Sequence, residues 1–87
     1  MKRGIQKKVT AFILVKVGSG EQLNFVKSVK EEISKIKGVQ KVHGIFGRYD
    51  LLVQAEAASL EELSRIVIDK MRAINGVLST ESLVVGY

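Results

Sequence analysis

The stretch from Val42 to Val53 constrains the fold of this chain more than any other part of it. Two extended apolar runs are joined there around Gly47-Arg48, and Tyr49 and Asp50 open the second run. Glycine tolerates the positive φ angle that a short hairpin requires, so we expect a tight turn at Gly47-Arg48. One helical pattern and one further strand pattern lie on each side of this hairpin. The hairpin is therefore expected at the centre of a pseudo-repeated chain.

Four segments have the composition and alternation of β-strands. We predict strands at Lys8–Val17, Val39–Phe46, Tyr49–Ala57 and Val77–Val85. In the first of them, alternate residues from Val9 to Val17 fall on one face, while Phe12 and Leu14 fall on the other. A strand that is apolar on both faces needs cover on both sides. In a domain this small, we expect the second cover to be another copy of the protein.

Two segments between these strands have a helical period. The first, Glu21–Lys37, follows a possible cap at Ser19 and has an apolar stripe at Val26, Val29, Ile33 and Ile36. The second begins after Ser59, which stands three residues before Glu62 in the spacing of a capping box. Its apolar stripe consists of Leu60, Leu63, Val67, Met71 and Ile74, widened by Ile66.

The resulting order, βαββαβ, has an internal echo in Gly38-Val39 and Gly76-Val77, which each follow a helix and precede a strand. Right-handed crossovers place both helices on one face of a four-stranded antiparallel sheet, with the first and third strands central. We therefore predict an α+β domain with the ferredoxin-like plait. The other sheet face is left open, and a dimer packed sheet to sheet would cover its apolar residues, predicted to be Phe12, Leu14, Leu52 and Val84.

The residue content excludes several classes of site. The chain has 87 residues, no cysteine and one histidine, His43. Disulfides, thiolate metal sites and a cysteine nucleophile are thus excluded, and a lone histidine on a strand is rarely a metal ligand. Without a recognisable catalytic motif, we predict no metal, no cofactor and no enzymatic activity. No apolar run approaches the ~20 residues of a membrane span, so we expect a cytoplasmic protein.

The net charge of +5 is concentrated near the N-terminus. Residues 1–8 contain Lys2, Arg3, Lys7 and Lys8 and no acid, whereas the remainder has ten basic and nine acidic residues. We therefore divide the chain into a basic extension, residues 1–7, and a single domain, residues 8–87. The extension is expected to be solvated rather than to bind phosphate.

The corner formed by Gly47, Arg48, Tyr49 and Asp50 has two interpretations. In the structural one, Asp50 accepts hydrogen bonds from turn N–H groups and Tyr49 packs over the sheet edge. In the functional one, a carboxylate, a phenol and exposed backbone N–H groups complement the ammonium, polar atom and carboxylate of a free α-amino acid. RNA binding is less favoured, because the central strands lack the basic and aromatic pattern that stacks bases.

Two motifs resemble a known family. Gly38-Val39 leads through a strand to Gly47-x-Tyr49-Asp50-Leu51-Leu52-Val53, and the chain ends in Gly76-Val77-x-x-Thr80-x-Ser82-x-Val84-Val85. From about Val9 to the C-terminus, the chain resembles the effector domain of the Lrp/AsnC family, the RAM domain. With so few residues before the first strand, it is similar to the stand-alone RAM proteins of archaea and bacteria, which lack the helix-turn-helix domain.

The resemblance implies a plait that dimerises through its sheet and assembles into octamer- or decamer-type particles, with amino-acid effectors bound near the corner. By position, the ligand-binding residues would be Gly47, Arg48, Tyr49, Asp50, Thr80 and Ser82, with Asp50 holding the ligand's ammonium group. Phe46 stands where many members have threonine, and together with the variable position Arg48 it bears on which ligand side chain is preferred.

The sequence therefore predicts a homo-oligomeric amino-acid-binding module that regulates transcription or amino-acid metabolism. It would sense an effector or co-assemble with a full-length Lrp/AsnC paralogue, and no direct sequence-specific DNA binding is expected. Two alternatives remain open: a plait enzyme of the dimeric monooxygenase type, assisted by His43 or Tyr49, and an assembly protein that binds no ligand.

Overall fold

The computed structural model describes residues 8–18 and 23–86. The predicted basic extension (residues 1–7), the predicted Ser19 cap and the predicted start of the first helix lie outside the described residues, as does Tyr87. Within the described part of the chain, no helix is both long and apolar enough to span a membrane.

The described residues form a single antiparallel sheet with helices on one face. In chain order the elements are β1 (Val9–Val17), α1 (Leu23–Ser34), β2 (Val39–Gly44), β3 (Leu51–Ala57), α2 (Leu60–Arg65), a π-helical segment (Ile66–Met71) and β4 (Val77–Val84). The strand order is β2-β3-β1-β4, so the two most apolar strands are central. This arrangement confirms the predicted ferredoxin-like plait.

Alternation in the two central strands builds the core. From Ala11 onward in β1, and throughout β3, every second residue is buried on the face that carries the helices, here called the helix face. From the helical side, Val29 and Ile33 of α1 and Leu63 of α2 are buried against them, and Val26 and Ile36 are partly buried. No polar or charged residue in the described ranges is buried, so the core is held by apolar contact alone.

The second helix departs from the regular period that its sequence predicts. Its start is as expected, because the Ser59 hydroxyl accepts from the Glu62 N–H at 3.0 Å and the Glu62 carboxylate accepts from the Ala58 N–H at 2.7 Å. From Ile66 onward it is π-helical, and the Arg72 N–H donates to the Val67 carbonyl at 2.9 Å. The apolar stripe is otherwise buried as predicted at Leu63, Ile66, Val67 and Met71, with Ile74 partly buried.

The prediction for Leu60 was wrong, since its side chain is 61% exposed. Helical side chains point back toward the N-terminus of their helix. Leu60 is the first residue of α2, so its side chain extends beyond the end of the helix and has no preceding turn to pack against.

Both strands that follow a Gly-Val pair carry a bulge. The pairing register shifts between Val39 and Lys41 in β2. It also shifts between Lys16 and Val17 of β1, which lie opposite the start of β4. Each shift leaves one residue, Gln40 or Leu78, without a direct partner. One extra residue reverses which side chains face each side of a sheet.

The bulge at Leu78 corrects the predicted composition of the open face, the sheet face without helices. Val84 pairs with Ala11 and therefore lies on the helix face, whereas Leu83 pairs with Phe12 and lies on the open face. The prediction that placed Val84 on the open face was wrong, because the alternation it assumed did not include the bulge. The apolar residues of the open face are Phe12, Leu14, Leu52 and Leu83.

Candidate functional site

The corner is a loop rather than the two-residue turn that the sequence predicts. The Ile45 N–H donates to the Asp50 carbonyl at 3.0 Å and closes the connection between β2 and β3. Gly47 has φ = +148°, a backbone conformation that favours glycine. Phe46, just before it, is fully exposed, so the loop presents an aromatic ring and the Arg48 guanidinium to solvent.

Asp50 is bonded into the sheet through both its backbone and its side chain. Its N–H donates to the Val15 carbonyl at 2.9 Å, and its Oδ2 accepts from the Val17 N–H at 2.8 Å. The carboxylate thereby replaces a backbone carbonyl and extends the β1–β3 ladder beyond the last regular pair. Lys16 Nζ lies 3.7 Å from the same oxygen. Asp50 therefore has a structural role, although the Val17 N–H that donates to its carboxylate is not one of the turn N–H groups that the structural interpretation had predicted.

Tyr49 reaches a partner that the sequence did not indicate. Its hydroxyl donates to Glu81 Oε1 at 2.7 Å. Because β1 lies between β3 and β4 in the sheet, the phenol must cross β1 to make this contact. The hydrogen bond to the Glu81 carboxylate, followed by desolvation and by the negative charge of Glu81, raises the pKa of Tyr49 above its ordinary value of 10.0. The phenol therefore stays neutral and donates at physiological pH.

The two predicted hydroxyl residues of β4 lie on the other side of the sheet. Thr80 pairs with Val15 and Ser82 with Ile13, so both are on the helix face, while Glu81 between them is on the open face. Within one chain the structure brings together Tyr49, Asp50 and their partners, and it separates Thr80 and Ser82 from them.

Lys16 and Glu81 are the site residues that sequence reasoning missed. Lys16, two residues after Leu14 in β1, was given no role, and Glu81 stood between the two hydroxyl positions taken from the family motif. Only the bulge at Leu78, which determines the faces of β4, brings Glu81 toward Tyr49. If the side chains alternated through β4 without the bulge, Glu81 would lie on the helix face instead.

The side chains near Tyr49 carry charges of both signs. The Asp50 and Glu81 carboxylates can accept hydrogen bonds from an ammonium group, and the Lys16 and Arg48 cations can bind a carboxylate. These four residues belong to the segments around the neutral phenol of Tyr49. In the described ranges, no three histidine, aspartate or glutamate side chains are grouped as a metal ion would require.

Comparisons with known proteins identify the fold and family. The family described as the Lrp/AsnC ligand binding domain matches residues 10–86. An uncharacterized HTH-type transcriptional regulator of Pyrococcus abyssi is 47% identical over 75 residues, which are 86% of this chain and 49% of that protein. A homocitrate synthase of Sulfolobus acidocaldarius is 42% identical over 72 residues, which are 83% of this chain and 14% of the enzyme.

Solved structures share the same architecture. A Thermus thermophilus protein has a TM-score of 0.80 at 29% identity, with 91% of this chain and 94% of that chain covered. A Neisseria meningitidis transcriptional regulator in complex with L-Met has a TM-score of 0.77 at 23% identity, with 91% and 50% covered. This chain spans about half the length of the HTH-type regulator it matches. It belongs to the Lrp/AsnC family, as a ligand-binding domain.

Proposed function

We propose that this domain binds a free amino acid, or a closely related zwitterion, at the corner and thereby regulates transcription or amino-acid metabolism. The observation that carries the proposal is the 2.7 Å hydrogen bond from Tyr49 to Glu81 beside the Asp50–Lys16 pair. Acceptors suited to an ammonium group and a donor suited to a carboxylate are thus found near one phenol, which supports the proposal. A ligand-binding role fits the family, and the Neisseria meningitidis regulator that shares this fold was solved as a complex with L-Met.

A second copy of the chain is part of this proposal. The open face carries three partly buried apolar side chains, Phe12, Leu14 and Leu52, and a half-exposed fourth, Leu83. Packing two open faces together removes this surface from water, which favours a homodimer. Further assembly into an octamer- or decamer-type particle, with sites shared between copies, is part of the same proposal. Thr80 and Ser82, on the helix face, would then contribute to a site completed by another copy.

A thermal-shift screen against the twenty standard amino acids tests the proposal. We expect at least one of them to raise the melting temperature, because a ligand that binds only the folded state stabilises it by mass action. The N-acetylated form of that amino acid is the matched control, since it lacks the ammonium group. Asp50→Asn should weaken the response while retaining an acceptor for the Val17 N–H. A flat screen with the oligomer intact would contradict effector binding and favour an assembly protein.

Co-assembly with a longer relative is the second part of the regulatory role. The HTH-type relative includes this domain as about half of its length, so a shared open face would allow mixed dimers. Native mass spectrometry of this chain mixed with such a relative should show mixed oligomers. Finding only the two homo-oligomers would count against the co-assembly.

The relation to homocitrate synthase supports a second candidate function. There the matched segment is 14% of a metabolic enzyme, so a domain of this kind can be joined to a catalytic chain. In this alternative the domain still carries out no catalysis, and it transmits effector binding to an enzyme subunit. Co-purification with an enzyme instead of a DNA-binding relative would favour it.

A further inference from the structure

A charged cleft lies at the end of the sheet opposite to the corner. It has a volume of about 1220 Å³ and lies between the end of α1, the start of β2, the end of β3 and the π-helical segment. This space is larger than the ~300–1,000 Å³ typical of small-molecule sites. Five basic and three acidic side chains line it: Lys8, Lys35, Lys37, Arg65, Lys70, Glu56, Glu62 and Asp69.

Most of the negative charge in the cleft is already engaged. The Glu62 carboxylate accepts the Ala58 N–H at 2.7 Å as part of the helix cap, and Glu56 Oε1 lies 3.9 Å from Lys8 Nζ. The other four basic side chains form no ion pair within residues 8–18 and 23–86. The lining as a whole therefore carries a net charge of +2, and four of its five basic side chains have no acidic partner in those ranges.

The junction of α2 with the π-helical segment places two of these cations on the cleft wall. In a π-helix the bonds run from residue i to i+5, so that residues five apart lie nearly above one another. In a regular α-helix, residues five apart point in clearly different directions. Arg65 and Lys70 are five apart and both line the cleft. The segment thus brings together two charges that the ordinary helical period would separate.

We propose that this cleft binds the phosphodiester backbone of duplex DNA without sequence specificity. The five basic and three acidic lining residues sum to +2. Cations in several segments around an open cleft suit an extended polyanion, which gains affinity by releasing counterions from successive phosphates. This inference is independent of amino-acid binding at the corner.

Fluorescence anisotropy of a short labelled duplex with the full chain, over a series of salt concentrations, tests the proposal. We expect log K to fall linearly with log salt. Arg65→Gln with Lys70→Gln should weaken binding on the order of tenfold or more and lower the salt slope by roughly two. The matched control, Lys27→Gln with Lys30→Gln, removes the same charge from α1 outside the cleft. It should change affinity by no more than about twofold.

A third variant gives a gain rather than a loss. Asp69 is the acid of the cleft whose carboxylate has neither an ion-pair partner nor a hydrogen bond in the described ranges. Asp69→Asn removes a charge that repels phosphate, so it should tighten DNA binding severalfold and should not reduce it.

Equal losses for the two double variants, or no binding of duplex by the unmodified chain, would overturn the proposal. If inorganic pyrophosphate stabilises the unmodified chain but not the Arg65/Lys70 variant, while duplex does not bind, the cleft is a site for small anions instead. Thermal melting of every variant without ligand verifies that each one is folded.

Discussion

The two ends of the sheet are built alike and charged differently. At one end the Gly18 N–H donates to the Gly76 carbonyl at 2.8 Å before β4, and at the other the Glu56 N–H donates to the Gly38 carbonyl at 2.8 Å before β2. Both glycines have a positive φ, and both following strands begin with a bulge. The corner end nevertheless carries a phenol between carboxylates, and the cleft end carries mainly cations. The backbone hydrogen bonds, glycines and bulges are thus the same at both ends, whereas the side chains differ.

The largest expected effect tests whether the bulge at the corner end determines which face each residue of β4 occupies. Leu83 is 50% exposed on the open face and Val84 is 47% exposed on the helix face. Leu83→Asp places a charge in the proposed dimer interface of both copies and should weaken dimerisation by about 3 kcal/mol or more. Val84→Asp is the matched control and should leave the dimer intact. Sedimentation analysis over a concentration series measures both.

Dissociation by Val84→Asp and not by Leu83→Asp would show that the dimer uses the helix face. Because both positions are about half exposed, neither substitution should unfold the monomer. Circular dichroism of each variant verifies this.

The next largest effect is expected at Gly76 and Gly38, the glycines that precede β4 and β2 at the two ends of the sheet. Gly76 has φ = +107°, and a Cβ built there would lie 2.7 Å from Phe25 Cζ and 3.1 Å from Val29 Cγ2. Gly76→Ala should therefore lower the free energy of unfolding by about 1–3 kcal/mol through backbone strain and close contact. Urea unfolding at a fixed protein concentration measures this change. Gly44→Ala, where a Cβ would meet nothing within 4 Å, should be nearly neutral.

The same experiment compares the two ends directly. At Gly38, with φ = +101°, an added Cβ would lie 2.7 Å from Ile66 Cδ1 and 3.0 Å from the Glu56 carbonyl oxygen. The backbone carbonyl cannot easily move aside, so the loss should resemble that at Gly76. A neutral Gly38→Ala would show that the two ends are less alike than their hydrogen bonds indicate.

The sequence was sufficient for the fold because the period of the apolar residues was clear. The β1 alternation and the α1 stripe at Val29 and Ile33 correspond to buried positions, and Ser59 with Glu62 marks the start of α2. Bulges and π-helical turns add a residue without changing composition. Alternation counted along the sequence therefore assigned Val84 to the wrong face and gave Glu81 no role, and contacts such as Tyr49–Glu81 depend on that register.

A smaller effect is expected from substitutions of Asp50, which separate its role as a hydrogen-bond acceptor from the role of its charge. Asp50→Ala removes the acceptor of the Val17 N–H, so it should lower the free energy of unfolding by about 1–2 kcal/mol. Asp50→Asn retains a side-chain oxygen and should lose less. Lys16→Ala is the control, since its exposed ion pair with Asp50 should contribute no more than about 0.5 kcal/mol. Equal losses for Ala and Asn would show that the charge matters more than the hydrogen bond.

The smallest effect is a change in ionisation at the corner. The chain has two tyrosines, so in a Tyr87→Phe background the ultraviolet absorbance of tyrosinate reports Tyr49 alone. We expect its pKa to lie above 10.0, because the hydrogen bond to the Glu81 carboxylate favours the neutral phenol. Glu81→Gln removes the negative charge and should lower this pKa toward its ordinary value, whereas Glu61→Gln, an equal charge change on α2, should not.

The direction of the Tyr49 pKa shift also determines how the free energy of unfolding depends on pH. Folding raises the pKa of Tyr49, so the stabilisation from the Tyr49–Glu81 hydrogen bond is fully present below the unfolded-state pKa near 10 and is lost as pH rises through the folded-state value. An amino acid whose ammonium group binds Glu81 would compete with the phenol and lower the pKa of Tyr49. A titration repeated with the effector from the thermal screen would thus detect binding at the corner itself, and an unchanged Tyr49 pKa would place the effector elsewhere.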